Sequence, residues 1–337
     1  MPVSVPHGDH PARDREITRC AELLERGARF LLTMHEFPDG DALGSALALA
    51  LALEQRGKAT VVYSPQGAPQ NLRFLPGANR IVNSLSREER FDACIACDAG
   101  DSSRLGPDLP QAERRGLMLN LDHHPRTRPF GDVNIVDPRA AAVGVLVHRV
   151  LARLGHPLTL DIATCLWVSL VCDTGSFRHS NTNPECMAIA KELVDLGVRP
   201  GEVTSRMYES QPLQRVRLLS EVLKTLSVGM NGQVAWVTAS REIFDLVGTQ
   251  EETADGFISY PRSIAGVEVA LLFREETATH HRVSFRSRGK VDVGAIATRF
   301  GGGGHHNAAG CAVEGSLDEV RAIVLREVEK ALERFRR

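Results

Sequence analysis

The sequence predicts an α/β protein. An N-terminal domain with a parallel sheet and helices on both faces is followed by a smaller mixed α/β domain. Short apolar runs alternate with helical segments through the first 200 residues, which is the pattern of a parallel sheet. Several of these runs end directly in Asp or His. The chain has 337 residues, of which 43% are hydrophobic, so it is long enough for about two domains of roughly 150 residues.

Four buried strands are predicted in the N-terminal domain. The runs FLLTM, TVVY, CIAC and LMLNL indicate strands at residues 30–34, 60–63, 94–97 and 117–121. Ligands of open parallel sheets lie beyond the carboxyl ends of the strands. His35, Asp98 and Asp122 fall at those ends, so the sequence predicts a site along this edge.

Helical patterns fill the intervals between the strands and continue into a second domain. The N-terminal domain is predicted to span residues 15–200, a helical linker 201–229 and the second domain 230–337. Helices are predicted at 15–26, 42–56, 140–154, 159–172, 184–196 and 214–227. The second domain is predicted to hold strands at 234–238, 268–274 and 281–286, helices at 291–300 and 317–335, and a loop at 301–310.

Composition narrows the class of protein. The formal net charge is −2 and aromatic residues make up 5%, which argues against binding of long duplex DNA or long single strands. Seven scattered cysteines and a polar N-terminus predict a cytoplasmic protein. No apolar run reaches about 18 residues without a charge, so no membrane span is expected. The Cys94-x2-Cys97 pair resembles half of a zinc motif. Residues three apart on a strand face opposite ways, however, so both are predicted to be core residues.

The segment HEFPDGD carries the first candidate metal ligands. His35, Asp39 and Asp41 place one imidazole and two carboxylates directly after a strand, a ligand set that suits Mn²⁺, Mg²⁺, Fe or Zn. Gly40 is expected to let this loop bend tightly. The alternative is a turn that only caps the following helix, with Asp41 as its N-cap.

Three further segments supply ligand-type residues. Asp98 ends a strand, and its alternative role is that of a turn residue. Asp122, His123 and His124 follow another strand, with a solvated surface turn as the alternative. Asp173 follows the apolar run TCLWVSLVC, where an Arg partner is the alternative to a metal. Each segment alone is ambiguous, but together they predict a site for two divalent metals, which suits cleavage of phosphate esters.

A second group of residues is predicted to bind an anion. The run GGGGHHNAAG contains Gly302, Gly303, Gly304 and His305. Successive backbone N–H groups in such a loop form an anion nest, whereas a flexible linker is the alternative. Four glycines are not expected there for packing. Nearby candidates for phosphate contact are Ser284, Arg286, Ser287 and Arg262, with Ser284 and Arg286 on one face of a strand and Ser287 on the other.

The motifs HEFPDGDA, ACDAGD, LDHHP, CDTGSF and GGGGHHNAAG resemble the DHH phosphoesterase family with its DHHA1 C-terminal domain, over about residues 15–335. The resemblance implies one Mn²⁺ on His35, Asp39 and Asp98. It implies a second on Asp41, Asp98, His123 and Asp173, with Mg²⁺ or Co²⁺ also admissible. It further implies that His124 contacts the phosphate or assists the leaving oxygen, that Asp122 orients its neighbours, and that His305, Arg286 and Ser287 bind substrate.

The activity implied by the resemblance is hydrolysis of very short RNAs to mononucleotides and of 3′-phosphoadenosine 5′-phosphate (pAp) to AMP. A homodimer is also expected. Alternatives are a phosphodiesterase for cyclic dinucleotides or linear pApA, a RecJ-like exonuclease on single-stranded DNA, and a non-catalytic nucleotide-binding module. The low aromatic content argues against the exonuclease, and the full set of ligands argues against the non-catalytic module.

Overall fold

The structure is a computed structural model that describes residues 11–125, 127–209, 211–249, 254, 256–304 and 306–335. The chain divides into two compact units, residues 1–210 and 211–337. None of the helices in these described ranges is long and apolar enough to cross a membrane.

The first unit is built on a five-stranded parallel sheet, which confirms the predicted fold class. Its strands are β1 (Arg29–Met34), β2 (Ala59–Tyr63), β3 (Ala93–Cys97), β4 (Leu117–Asp122) and β5 (Val133–Val136), in the spatial order β2-β1-β3-β4-β5. The strand β5 was not predicted from the sequence, because it is only four residues long and follows a polar stretch.

Seven helices accompany the described part of this sheet: α1 (Pro11–Arg26), α2 (Gly40–Gln55), α3 (Ala112–Arg115), α4 (Val143–Arg153), α5 (Leu160–Asp173), α6 (Pro184–Asp195) and α7 (Pro200–Tyr208). One face of the sheet packs against α1, α2 and α4 in the larger core. The other face packs mainly against the largely irregular segments 82–91 and 99–109. Cys94 and Cys97 lie in these two different cores, as their strand spacing predicts.

The helix α2 is the centre of the first unit. Thirteen of its 16 residues are buried, and it packs closely along α5. A Cβ added at Gly44 would lie 2.4 Å from the carbonyl oxygen of Cys165. The prediction that Gly40 bends a loop was wrong, because Gly40 is the first residue of α2. A Cβ there would lie 2.9 Å from Cβ of Cys172, so its lack of a side chain permits close helix packing.

The second unit is built on a mixed sheet of six strands in the order β10-β11-β9-β8-β7-β6, in which only β7 and β8 pair in parallel. Its strands are β6 (Ser227–Gly229), β7 (Val234–Ala239), β8 (Val269–Thr277), β9 (His280–Ser287), β10 (Gly303–Gly304) and β11 (Ala308–Glu314). Its helices are α8 (Leu213–Lys224), α9 (Arg241–Val247), α10 (Ser259–Ser263), α11 (Val293–Thr298) and α12 (Leu317–Phe335). The helices α11 and α12 cover one face, while α8, α9 and α10 cover part of the other.

The glycine-rich segment differs from the predicted loop. Gly303 and Gly304 form β10, which pairs with β11, and Ala308 begins β11. The strands β10 and β11 were not predicted, because the segment is polar and rich in glycine and its strands pair through backbone hydrogen bonds alone. The predicted linker is also divided, since α7 contacts residues 70–72 in the first unit and α8 packs on β7 and α9 in the second. The predicted domain limits, 15–200, 201–229 and 230–337, stay a prediction.

Candidate metal centre

Four chain segments bring the predicted metal ligands to one edge of the parallel sheet. His35 follows β1, Asp98 follows β3, and Asp122 is the last residue of β4. The beginning of α2 supplies Asp39 and Asp41, and the end of α5 supplies Asp173. Parallel strands end at a common edge, so residues 87 positions apart in sequence become neighbours.

The first ligand cluster joins His35, Asp39 and Asp98. The Nε2 atom of His35 lies 3.7 Å from Oδ2 of Asp98 and 3.9 Å from Oδ1 of Asp39. The Nδ1 atom of His35 lies 2.8 Å from the carbonyl oxygen of Glu36, which only accepts hydrogen bonds. Nδ1 therefore carries the proton, and Nε2 presents its lone pair to the two carboxylates.

Asp39 also caps the helix that follows it. Its Oδ1 accepts hydrogen bonds from the backbone N–H groups of Asp41 and Ala42 at 3.0 and 3.1 Å. The alternative role considered for this segment was helix capping by Asp41, and the structure gives that role to Asp39 instead. Capping and membership of the cluster coexist, because a carboxylate has two oxygens and several lone pairs.

The second ligand cluster joins Asp41, His123 and Asp173 to Asp98. The Nε2 atom of His123 lies 3.2 Å from Oδ2 of Asp173, 3.6 Å from Oδ2 of Asp41 and 3.7 Å from Oδ1 of Asp98. His123 Nδ1 donates to the carbonyl oxygen of Ala140 at 3.0 Å, so Nε2 is again the atom with the lone pair.

Asp98 belongs to both clusters. Its Oδ2 faces His35 and its Oδ1 faces His123, each at 3.7 Å. Its φ of 60° is in the left-handed region, which costs a non-glycine residue about 1–3 kcal/mol. Oδ1 is buried and, among the described residues, accepts no hydrogen bond. A buried carboxylate oxygen without a donor is stabilised either by protonation of the group or by another source of positive charge.

The electrostatics of the cluster show an excess of negative charge. Burial, followed by repulsion from Asp41, raises the pKa of Asp98 well above its ordinary value. The same two causes raise the pKa of Asp173 to about 8. Burial also raises the pKa of Asp41. Three carboxyl groups that hold protons so tightly lack sufficient cationic partners within the protein.

Divalent metal ions fit this arrangement. Metal–ligand bonds of roughly 2.1 Å put neighbouring ligand atoms about 3 Å apart and opposite ones about 4 Å apart. The separations of 3.2–3.9 Å in the two clusters lie within that range. Imidazole nitrogen with carboxylate oxygen is a donor set typical of Mn²⁺, Mg²⁺, Fe or Zn. The described residues therefore include groups that could hold metal ions.

His124 and Asp122 form a pair beside the clusters. The Nδ1 atom of His124 lies 2.5 Å from Oδ1 of Asp122 and 3.3 Å from Oδ1 of Asp98. Asp122 also accepts hydrogen bonds from the backbone N–H of His123 at 2.9 Å and from the hydroxyl of Thr127. Burial alone would raise the pKa of Asp122, but these hydrogen bonds, led by that of His124, lower it. Asp122 is thus an ionised anchor for both histidines.

Sequence reasoning missed the segment DPRAAAVG at residues 137–144. Its backbone accepts from His123 and donates to Asp41. It also missed Asn181, which donates to the carbonyl oxygen of Asp173 at 3.1 Å. Each missed contact uses at least one backbone atom, which leaves little trace in a sequence. The only signal was the polar sequence Asp137-Pro138-Arg139 directly before three consecutive alanines.

The second unit brings together part of the predicted anion site. Ser284 and Arg286 lie half-buried on the same face of β9, paired with Gly310 and Ala308 of β11. Ser287 lies on the opposite face, is fully buried and donates to Oδ1 of Asn307 at 3.1 Å. Arg262 lies on α10, which packs on β8, and its carbonyl oxygen accepts a hydrogen bond from Arg288.

The glycines of this unit have more than one role. A Cβ on Gly302 would lie 2.2 Å from the carbonyl oxygen of Gly310, and one on Gly304 would lie 2.5 Å from that of Ala308. The expectation that the glycines are not there for packing was therefore wrong for these two. A Cβ on Gly303 would meet nothing within 4 Å. His305 lies outside the described residues.

Comparisons with known proteins agree with this architecture. The DHH family N-terminal domain matches residues 29–170, and the DHHA1 domain matches residues 243–335. The "Bifunctional oligoribonuclease and PAP phosphatase NrnA" of Thermus thermophilus is 36% identical over 93% of this chain and 94% of its own length. The protein of the same name from Bacillus subtilis is 27% identical over 92% and 96%.

Solved structures extend the comparison. An exopolyphosphatase-related protein from Bacteroides fragilis superposes with a TM-score of 0.85 at 26% identity, covering 96% of each chain. RecJ of Thermus thermophilus, solved in complex with Mn²⁺, gives a TM-score of 0.54 at 14% identity, covering 99% of this chain and 56% of its own, which is a likeness of fold alone. From the domain matches and the 36% identity, the chain belongs to the DHH phosphoesterase family and is a hydrolase that acts on phosphate esters.

Proposed function

We propose that the chain is a two-metal phosphoesterase that degrades very short oligoribonucleotides to mononucleotides and hydrolyses pAp to AMP and phosphate. The observation that carries the two-metal part is Asp98, whose two oxygens face two separate ligand clusters. The substrate part is supported by the names of the relatives from Thermus thermophilus and Bacillus subtilis, which align with more than nine-tenths of this chain.

Two groups of residues would hold the metals. His35, Asp39 and Asp98 would hold one, and Asp41, Asp98, His123 and Asp173 would hold the other. When bound, such ions supply Lewis acidity toward the phosphoryl oxygens and activate water as a nucleophile. Mn²⁺ is the proposed metal, with Mg²⁺ or Co²⁺ as substitutes, because the donor set admits all three.

His124 is the proposed catalytic residue, and Asp122 positions it. The hydrogen bond from His124 Nδ1 to Asp122 fixes the ring orientation and places the proton on Nδ1. His124 would therefore contact the substrate phosphate or give a proton to the leaving oxygen.

The second unit would bind the nucleotide part of the substrate. Arg286 and Ser284 share the half-buried face of β9, where a guanidinium group could bind a phosphate with two hydrogen bonds. Arg262, Ser287, Gly302, Gly303, Gly304 and His305 remain further candidates for this contact. A cytoplasmic location and a homodimer also remain predictions.

The experiment that tests this proposal compares two aspartates of the same loop. Asp98→Ala removes a ligand from both clusters, and we expect hydrolysis of pAp and of a dinucleotide to fall to background. Asp101→Ala is the matched control, because Asp101 caps the short helix at Ser102–Arg104 through Ser103 N–H. Assays with Mn²⁺ would include pAp, pApA, short RNA and long single-stranded DNA. Full activity of Asp98→Ala contradicts the metal site, whereas a preference for long DNA contradicts the substrate assignment.

A further inference from the structure

One short backbone segment holds the ligands of the second cluster. This segment, Ala140 to Gly144 (sequence AAAVG), is here named the AAAVG segment. The carbonyl oxygen of Ala140 accepts from Nδ1 of His123 at 3.0 Å. Two backbone N–H groups at the start of α4 donate to Asp41, at 2.8 Å to Oδ2 and 3.3 Å to Oδ1. The segment thus fixes the tautomer of one ligand and the orientation of another.

The third ligand of the cluster is joined to the same segment by Asn181. The side-chain Nδ2 of Asn181 donates to the carbonyl oxygen of Ala141 at 2.8 Å and to that of Asp173 at 3.1 Å. This bridge ties the end of α5, where Asp173 lies, to the AAAVG segment. Hydrogen bonds therefore connect Asp41, His123 and Asp173 to one segment of five residues, none of which has a polar side chain.

The first cluster is held differently. His35 donates to the carbonyl oxygen of its own neighbour, Glu36, and Asp39 accepts from the first turn of its own helix. No hydrogen bond recorded between the described residues links these two ligands to the AAAVG segment. Asp98 is common to both clusters, and its backbone N–H donates to the carbonyl oxygen of Leu121 on β4. Displacing the segment would thus disturb one cluster and leave the other in place.

Arg149 anchors the AAAVG segment from behind. Its Nη1 donates to Oδ2 of Asp137 at 2.9 Å, and its Nε and Nη2 donate to both oxygens of Glu185 at 2.7 and 2.5 Å. Asp137 is buried, and its carbonyl oxygen accepts from the N–H of Ala140 at 2.9 Å. Removing Arg149 would leave the carboxylates of Asp137 and Glu185 without their main cation, and Asp137 lies just before the segment.

We propose that Arg149 and Asn181 are positioning residues that set the metal affinity of the Asp41–His123–Asp173 cluster through the AAAVG segment. The proposal rests on the two-metal function proposed above. Neither side chain needs to touch a metal or the substrate. Their effect is confined to one cluster, because the backbone links run only to the ligands of that cluster.

The test measures Mn²⁺ binding to the full, metal-free chain by isothermal titration calorimetry and by Mn²⁺ electron paramagnetic resonance. Arg149→Met removes the guanidinium fork, whereas Arg149→Lys keeps the charge without the fork. Asn181→Ala breaks the bridge without changing charge, which provides a second variant if Arg149→Met does not fold. Arg29→Met is the control, because it breaks an Arg–Glu89 pair of 2.7 Å on β1, away from the segment.

We expect Arg149→Met and Asn181→Ala to weaken one of two Mn²⁺ sites by about 10–100-fold and to leave the other unchanged. Arg149→Lys should weaken that Mn²⁺ site by an intermediate factor. Arg29→Met should bind Mn²⁺ as tightly as the unsubstituted chain does. In a His35→Ala background the same changes should weaken the one remaining site, whereas in an Asp173→Asn background they should have no effect. Equal weakening of both sites, or of neither, overturns the proposal. An unsubstituted chain that binds no Mn²⁺ instead overturns the two-metal function on which the proposal rests.

Discussion

The two units of this protein place their candidate functional residues in different ways. In the first unit, three parallel strands end at one edge and bring His35, Asp98 and Asp122 together from distant parts of the chain. In the second unit, the sheet is mainly antiparallel, and Ser284 and Arg286 share a face of a single strand. Topology alone determines the first arrangement, whereas the second depends on strand register and side-chain alternation.

The two sites also differ in electrostatics. In the first unit, burial raises the pKa values of Asp41, Asp98 and Asp173, which indicates that their charged forms need cations from outside the chain. The candidate residues of the second unit include two arginines that are only half-buried, so that site can receive an anion. This difference supports the proposal that the first unit binds metals and carries the chemistry and that the second recognises a phosphate.

The largest expected effect separates chemistry from metal binding within the first unit. His124→Ala should lower kcat for pAp by about 10²–10⁴-fold, because proton transfer by a positioned side chain contributes that much. Two Mn²⁺ ions should still bind, since His35 and His123 remain. The contrasting variant, His123→Ala, should lose one Mn²⁺. Calorimetry with steady-state kinetics would check both, and loss of metal from His124→Ala would assign that residue to the ligands instead.

The next effect concerns recognition in the second unit. Arg286→Met should raise the KM for pAp by roughly 10–150-fold, the equivalent of one charged hydrogen bond of about 1.5–3 kcal/mol. Mn²⁺ binding should not change. The control is Arg282→Met. Arg282 lies on the same face of β9 as Arg286, but its Nε atom is 3.7 Å from Oε1 of Glu276. A KM that does not respond to Arg286→Met would remove this residue from the binding site.

The glycine-rich segment allows packing and anion binding to be separated. Gly304→Ala should destabilise the second unit by about 1–3 kcal/mol, because the residue has a φ of 140° and no room for a Cβ. Gly303→Ala should leave the fold intact, because a Cβ there meets nothing. Chemical denaturation would measure both variants. If Gly303→Ala weakens pAp binding without unfolding, Gly303 contacts the ligand; equal stability of the two variants would contradict the packing role.

The last expected effect is the pH dependence of the stability of the metal-free protein. The folded state holds the Asp173 proton up to about pH 8, whereas the unfolded chain releases it near 4. The free energy of unfolding should therefore fall as pH rises from about 4 to about 8, by up to about 1.4 kcal/mol per pH unit. The raised pKa of His123 acts in the same direction. Thermal melts in a chelator should show this slope, and Asp173→Asn should reduce it. A slope of opposite sign would contradict the excess of buried negative charge.

The same difference between the two units explains which features could be predicted from the sequence. The positions of the candidate ligands at the strand ends were predictable, because an apolar run followed by Asp or His indicates both a strand and its polar edge. The strand β10 was not, because Gly303 and Gly304 pair through backbone atoms that every residue has. The AAAVG segment was missed for the same reason. Side-chain chemistry is visible in a sequence, whereas backbone hydrogen bonds made by alanine and glycine are visible only in the fold.

The two-metal proposal depends on Asp98 joining two metal sites. The most direct measurement is an anomalous difference map, recorded at the manganese absorption edge, from crystals grown with Mn²⁺. We expect two peaks, one bonded to His35 Nε2 and the other to His123 Nε2, with an oxygen of Asp98 bonded to each. A single peak, or two peaks of which only one contacts Asp98, would contradict it.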